Sequence, residues 1–194
     1  MLAELVDTVI KLVSKARALD VAVTIDAEEI DRLEISLEVF RAVYESEAAK
    51  GWGHFGLVVQ AYSKRALPVL HYINRLADQQ GDEIPLRLVK GAYWDTEIKE
   101  SQQLGVDGYP VFTRKAGTDV AYLACAQFLL SSDTNGRIFP QFATHNAHTV
   151  TTILEFANRD SRPFEFQRLH GMGEALYDAA LERAPKGTYC RIYA

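Results

Sequence analysis

LRLVKGAYW, residues 86–94, is a run of branched and aromatic apolar residues with Arg87 near its start and Lys90 in its middle. Short apolar runs of this kind fit strands buried on both faces of a parallel sheet. An arginine inside such a strand needs a partner, because burying its charge unpaired is expensive. Arg87 therefore reads as a site residue more readily than as a surface charge. Six further stretches share the composition: VAVTID (21–26), HFGLVVQAY (54–62), PVFT (110–113), IFPQFATHN (138–146), FEFQRLHG (164–171) and TYCRIYA (188–194).

Most intervals between these stretches read as helix. Leu5, Val9, Leu12, Ala16 and Leu19 keep one helical face before the first strand. Leu33, Leu37, Phe40 and Tyr44 do so after it, behind an Asp-Ala-Glu-Glu start that suits a helix N-terminus. Leu67, Leu70, Ile73 and Leu76 mark a third helix with Ser63 as its N-cap. Val120, Leu123, Ala124 and Phe128 mark a fourth, and Val150, Ile153, Leu154 and Ala157 a fifth. A sixth runs from Gly173 to Ala184 and stops at Pro185 and Gly187.

Strands alternating with helices imply right-handed βαβ units and a parallel sheet. A doubly wound nucleotide-binding sheet would carry a glycine-rich turn after its first strand, and none follows Asp26. Polar groups collect instead at the strand ends: Asp26, Gln60, Lys90 to Trp94, Thr113, Thr144 to Asn146, His170 and Tyr193. That asymmetry belongs to the C-terminal face of an α/β fold of the (β/α)8 TIM-barrel type. Such a barrel takes about 250 residues. The chain has 194, so the expectation is one domain over 1–194, a truncated barrel with seven of eight strands visible.

Composition agrees with a folded domain. Apolar residues make up 48% and charged residues 24%, which excludes a disordered or collagen-like chain. The 21 basic and 26 acidic residues leave a charge of −5 with no basic patch, so nucleic acid is not an expected partner. Cys125 and Cys190 sit far apart in apolar runs and read as reduced thiols, with a pairing between them left open. Glu4 and Asp7 interrupt the opening run where a signal peptide would be apolar, and the apolar run 120–130 is too short to cross a bilayer. A cytoplasmic location is expected.

Each candidate site residue has a plainer reading beside the functional one. Asp26 is either a helix N-cap or a carboxylate that orients a cation or a substrate amine. Lys90 is either an anion contact or a desolvated Schiff-base nucleophile of the class I aldolase kind. The adjoining Gly91 and Ala92 suggest close approach of a ligand to the backbone. His145 and His148 have a spacing that a metal uses, but no further ligands accompany them, so no metal site is expected. HGMGE (170–174) suits either a phosphate or an ordinary tight turn. Tyr93 and Trp94 are core residues or a stacking surface for a planar ring.

Taken in order, TIDAEEIDRLEIS, GLVVQAY, RLVKGAYWD, FATHNAHT, FQRLHGMGE and CRIYA closely resemble the proline dehydrogenase domain, in particular that of the bacterial bifunctional proline-utilisation flavoenzymes. The likeness covers essentially the whole chain. It implies a (β/α)8 barrel that binds FAD at the strand ends. It also implies oxidation of L-proline to Δ1-pyrroline-5-carboxylate, with the electrons passed to a quinone at the membrane surface. Arg87 matches the arginine beside the flavin N5 edge, where positive charge favours the reduced, anionic ring. Gln60 matches a flavin-ring contact, and Val89, Lys90, Gly91, Ala92 and Trp94 match the cofactor-lining strand. Thr144, His145 and Asn146 match further FAD contacts, and Thr113, Lys115 and Thr118 fall towards the adenosine end. Asp26 resembles the aspartate that organises the substrate-binding arginines. Leu169 and Tyr193 match walls of the proline pocket, Leu169 also adjoining the cofactor.

The resemblance also implies parts that these residues do not match. A strand with a substrate-site lysine would precede the first helix, and a last helix would carry an adjacent arginine pair that grips the proline carboxylate. No Arg-Arg pair occurs in the sequence. The expectation is the body of a site without its substrate anchor, inside a longer bifunctional chain with an aldehyde dehydrogenase half that docks peripherally at the inner membrane. Two other readings stay open at this stage: a Schiff-base lyase using Lys90, and a non-catalytic flavin-binding fragment.

Overall fold

The computed structural model describes residues 2–193. Helix α1 (Leu2–Ala18) leads into β1 (Val23–Ile25), a short 3-10 turn (Ile30–Arg32) and α2 (Leu33–Tyr44). There follow β2 (Phe55–Gln60), α3 (Ala66–Gln80), β3 (Ile84–Val89), α4 (Trp94–Leu104) and α5 (Lys115–Leu130). The chain continues through β4 (Ile138–Ala143), α6 (Ala147–Asp160), β5 (Glu165–Leu169), α7 (Glu174–Leu181) and β6 (Tyr189–Tyr193). All six strands are parallel and lie in chain order from β1 to β6. The result is an α/β fold built on a curled parallel half-barrel.

The pleat separates two environments. Leu57, Leu86, Phe142 and Phe166 point outward under the helices, where Phe142 and Phe166 pack edge-on against Phe164 at 5.4 and 4.7 Å. Paired across the ladder on the opposite, concave face are Val58, Arg87, Gln141 and Glu165. The curl is visible in one contact. The Arg87 guanidinium of β3 lies 4.6 Å from the Tyr193 ring centre of β6, three strands along. A flat sheet would hold those strands about 14 Å apart, at 4.7–4.9 Å per strand.

Three helical stripes differ from the sequence reading. In α1 the inward stripe is the buried Val13 with the partly buried Val6, Val9 and Ile10, while Leu5, Leu12 and Leu19 are exposed. Both stripes have helical spacing, and packing against α2 selects the branched one. In α5, Tyr122, Cys125, Ala126 and Leu129 face the core and Val120 faces solvent. Leu67 is likewise partly exposed, whereas Leu70, Ile73 and Leu76 are buried as expected. Ser63 does not cap α3; its Oγ accepts a hydrogen bond from the Arg65 N–H in the turn ahead of it.

The seventh strand is not there: PVFT (110–113) belongs to no sheet among the described residues. Val111 instead forms an isolated antiparallel bridge with Ser63, with Pro110 O accepting from Lys64 N and Phe112 N donating to Tyr62 O. The segment is thus pinned across the end of β2, and Pro110 has no N–H to give a ladder. Helix α4 had no apolar signal because its inward face is polar. Glu97 and Ser101 are buried there, and Glu97 accepts the Ile30 N–H at 2.7 Å. Burial pushes the Glu97 carboxyl above the usual carboxylate range, with the Ile30 bond opposing the shift. Ala194, the last residue of the final stretch, lies outside the described residues.

Pro85 sits inside β3, and Gly56 makes room for it: a Cβ on Gly56 would lie 2.3 Å from the Pro85 carbonyl oxygen. Backbone cannot yield as a side chain does. Gly56→Ala is expected to destabilise the fold by about 2 kcal/mol through overpacking, read as a lowered urea midpoint. An unchanged midpoint would mean that β2 and β3 can separate freely.

Candidate active site at the strand ends

Because every strand runs the same way, every C-terminal end opens on one side. Asp26, Gln60, Val89, Lys90, Gly91, Ala92, Lys115, Thr144, His145, Asn146 and Leu169 line a cavity of ≈ 830 Å³ there. A second cavity of ≈ 420 Å³ adjoins it, lined by Asp26, Arg87, Val89, Gln167, Leu169 and Tyr193 among others. Trp94, Thr113 and Thr118 lie outside both linings. Trp94 Nε1 donates to Phe112 O at 2.9 Å, Thr113 is exposed, and Thr118 is buried on α5.

Arg87 is the centre of the smaller cavity. Its Nη1 donates to Asp26 Oδ1 at 3.2 Å, and its guanidinium stacks on Tyr193. The Arg87 side chain is 15% exposed and that of Asp26 is 78% exposed. Arg87 Nε is buried with no partner among the described residues. Asp26 is therefore an ion-pair partner, not the N-cap of the following turn, whose cap position is Glu29. Tyr193 Oη accepts a long bond of 3.5 Å from Gln167 Nε2.

Gln60 is buried and uses both ends of its amide on the backbone. Its Nε2 donates to Glu28 O and its Oε1 accepts from Ala92 N, each at 2.8 Å. It ties the ends of β1, β2 and β3 together. Gly91 has φ of +147°, and a Cβ there would lie 2.4 Å from the Tyr62 ring. The close neighbour that demands glycine is therefore Tyr62, in place of the ligand that the Gly-Ala pair suggested, although Gly91 does line the cavity.

Lys90 is held by Asp119, which also takes Lys115 Nζ at 2.6 Å. The two lysines hold the Asp119 carboxyl below its usual range, the Lys115 hydrogen bond being the largest cause. Its contribution to folding is thus complete above that range and is lost only as pH falls through the lowered value. A lysine paired in this way has the surroundings of an anion contact, and the apolar pocket of a Schiff-base nucleophile is missing.

Thr144 Oγ1 accepts from Asn146 N at 3.2 Å, and Asn146 caps α6 by accepting from Thr149 N at 2.9 Å. His145 Nε2 accepts from Leu169 N at 3.2 Å, joining the β4 and β5 ends. His148 is an exposed residue of the first turn of α6 and does not line the cavity with His145. In HGMGE, Arg168 occupies the turn, donating to Leu169 O and Met172 O and pairing with Glu174 at 3.6 Å. Both cysteines are free, and burial pushes the Cys125 thiol up to about 11.

Asp119, Gln167 and Arg168 are among the residues at the site that escaped the sequence reading. Asp119 could have been found from its i, i+4 spacing to Lys115. Gln167 and Arg168 stand in the β5 stretch without a motif that singles them out. No helix among the described residues is long and apolar enough to cross a membrane.

A parallel half-barrel with polar groups and adjoining cavities at its strand C-termini defines a barrel-type α/β enzyme domain. The chain belongs to the proline dehydrogenase family, whose model matches residues 2–194. It is 50% identical over 185 residues to the bifunctional protein PutA of Klebsiella aerogenes, covering 92% of this chain and 14% of that protein. It is 46% identical over 196 residues to the bifunctional protein PutA of Rhizobium meliloti, covering 100% of this chain and 16% of that one. A solved structure of proline utilization A (PutA) with proline bound in remote sites superposes with a TM-score of 0.92 at 54% identity, covering 100% of this chain and 19% of that one. The chain thus spans less than a fifth of the length of these relatives.

Proposed function

We propose that this chain carries the FAD-binding part of a proline dehydrogenase, oxidising L-proline to Δ1-pyrroline-5-carboxylate. The carrying observation is Arg87: a nearly buried guanidinium on β3, paired to Asp26, stacked on Tyr193 and with Nε unpartnered. The larger cavity, ≈ 830 Å³, falls in the range of cofactor sites, about 300–1,000 Å³. Its lining fits a dinucleotide: backbone at residues 89–92 for a flat ring, and the Lys90 and Lys115 cations for phosphate. Bound flavin would take a hydride from proline C5 and supply electrons to a quinone.

The chain's own groups do the rest. Arg87 puts positive charge in the smaller cavity, and Asp26, which lines both cavities, fixes its direction. Tyr193 and Leu169 wall the smaller cavity and limit it to a small ring. Gln60 sets the strand end against which the cofactor lies, and Thr144, His145 and Asn146 form the opposite wall. Trp94 continues the cofactor-lining strand end, and Thr113, Lys115 and Thr118 are assigned towards the adenosine end.

We read residues 1–194 as part of a (β/α)8 barrel within a longer bifunctional chain that includes an aldehyde dehydrogenase half, cytoplasmic and peripheral at the membrane where the quinone is reached. The small share of the PutA relatives that the chain covers supports this. The test is uptake of FAD by the folded protein and its bleaching by proline without oxygen. Failure of folded protein to bind flavin would reject the proposal. Borohydride trapping of a carbonyl compound on Lys90 would favour the Schiff-base chemistry instead.

A further inference from the structure

The two cavity lysines come from different elements, Lys90 from the end of β3 and Lys115 from the start of α5, and Asp119 joins them. Lys90 Nζ bonds Asp119 Oδ1, and Lys115 Nζ bonds Oδ2 at 2.6 Å. Both carboxylate oxygens are thus engaged, and both lysines line the larger cavity while Asp119 does not. Lys115 is 77% exposed along its side chain and Lys90 27%, so the pair lies at the rim between solvent and cavity.

We propose that Asp119 is a positioning residue that holds the Lys90 and Lys115 ammonium groups together as a preformed site for the phosphates of the dinucleotide. The proposal rests on the FAD reading above and deepens it. Two like charges this close repel, and a long exposed lysine has many rotamers. A carboxylate between them cancels the repulsion and selects the rotamers in which both cations face the same opening. The cluster retains a net charge of +1, which an anionic phosphate can still use. Without the carboxylate, Lys115 swings into solvent, and a ligand has to reassemble the pair at an entropic cost that preorganisation avoids. Asp119 therefore acts through the lysines and touches no reacting atom.

The test compares ligands with and without phosphate on the full chain: FAD, ADP and riboflavin, each titrated by calorimetry or fluorescence. Asp119→Asn is expected to weaken FAD and ADP binding about tenfold, with riboflavin unchanged within error and partial recovery in Asp119→Glu. In a Lys115→Gln background, which removes a mostly exposed side chain, the Asp119→Asn effect should shrink. Equal or tighter FAD binding by Asp119→Asn would overturn the proposal, since Asp119 would then merely compete with phosphate for the lysines. Equal loss of riboflavin binding would overturn it as a general effect on the fold. Either result leaves the FAD reading standing, whereas failure of the unaltered protein to bind FAD or ADP removes both.

Discussion

Arg87→Met lowers proline-dependent flavin bleaching by about 10²–10³-fold, the usual cost of removing one preorganised charge at a reacting centre, while FAD stays bound. The geometry gives the reason. Methionine keeps the volume and the apolar stem on β3 but drops the charge, so Asp26 loses its partner at 3.2 Å and Tyr193 its cation at 4.6 Å. The flavin potential is expected to fall with the rate, because the positive charge that favours the reduced ring is gone. Arg87→Lys should not restore it: an ammonium point charge cannot both hold Asp26 and stack flat on Tyr193. Anaerobic stopped-flow reduction and a potentiometric titration measure both effects. An unchanged potential with normal reduction would remove Arg87 from the site.

Arg191→Ala destabilises the protein by about 3 kcal/mol, because it strands a buried carboxylate. Glu165 on β5 is fully buried, and Arg191 on β6 grips it with Nε at 2.8 Å and Nη2 at 3.1 Å. The Glu165 hydrogen bond is also what holds the Arg191 guanidinium well above its usual range. After the substitution, Gln167 Nε2 still donates to that carboxylate at 2.7 Å, and the Tyr189 hydroxyl lies beside it. The converse change is milder. Glu165→Gln leaves an amide that can still bond Arg191, whose side chain is 47% exposed and keeps its water, so about 1 kcal/mol is lost. Urea midpoints of the two variants provide the comparison. Equal costs would mean that water reaches Glu165, and that its burial does not set the energetics.

Much of this was legible in sequence for a physical reason. Parallel strands covered by helices must carry apolar residues on the covered face, so six of the seven stretches located β1 to β6 directly. Polar residues at the ends of such runs have few other places to go than the C-terminal mouth. Asp26, Gln60, Lys90 and Thr144 to Asn146 therefore gather around one cavity as their positions implied. PVFT misled because strand composition says nothing about pairing: its hydrogen bonds run to the β2–α3 turn, not along a ladder. Helix α4 was invisible because its buried positions are Glu97 and Ser101, satisfied by a long-range bond to Ile30 and a local one within the helix, neither of which a hydrophobic period records.

The sequence by itself determined the α/β class, the family and many of the residues that meet at the mouth, because these follow from local composition and from motif strings of adjacent residues. Only the tertiary structure decided who pairs with whom. Asp26 with Arg87, Arg87 with Tyr193, Lys90 with Asp119 and Gly91 against Tyr62 all join residues from separate elements. Such contacts depend on strand order and on the curl of the sheet. Those are set by the packing of all the helices at once, a non-local property that no window of sequence contains.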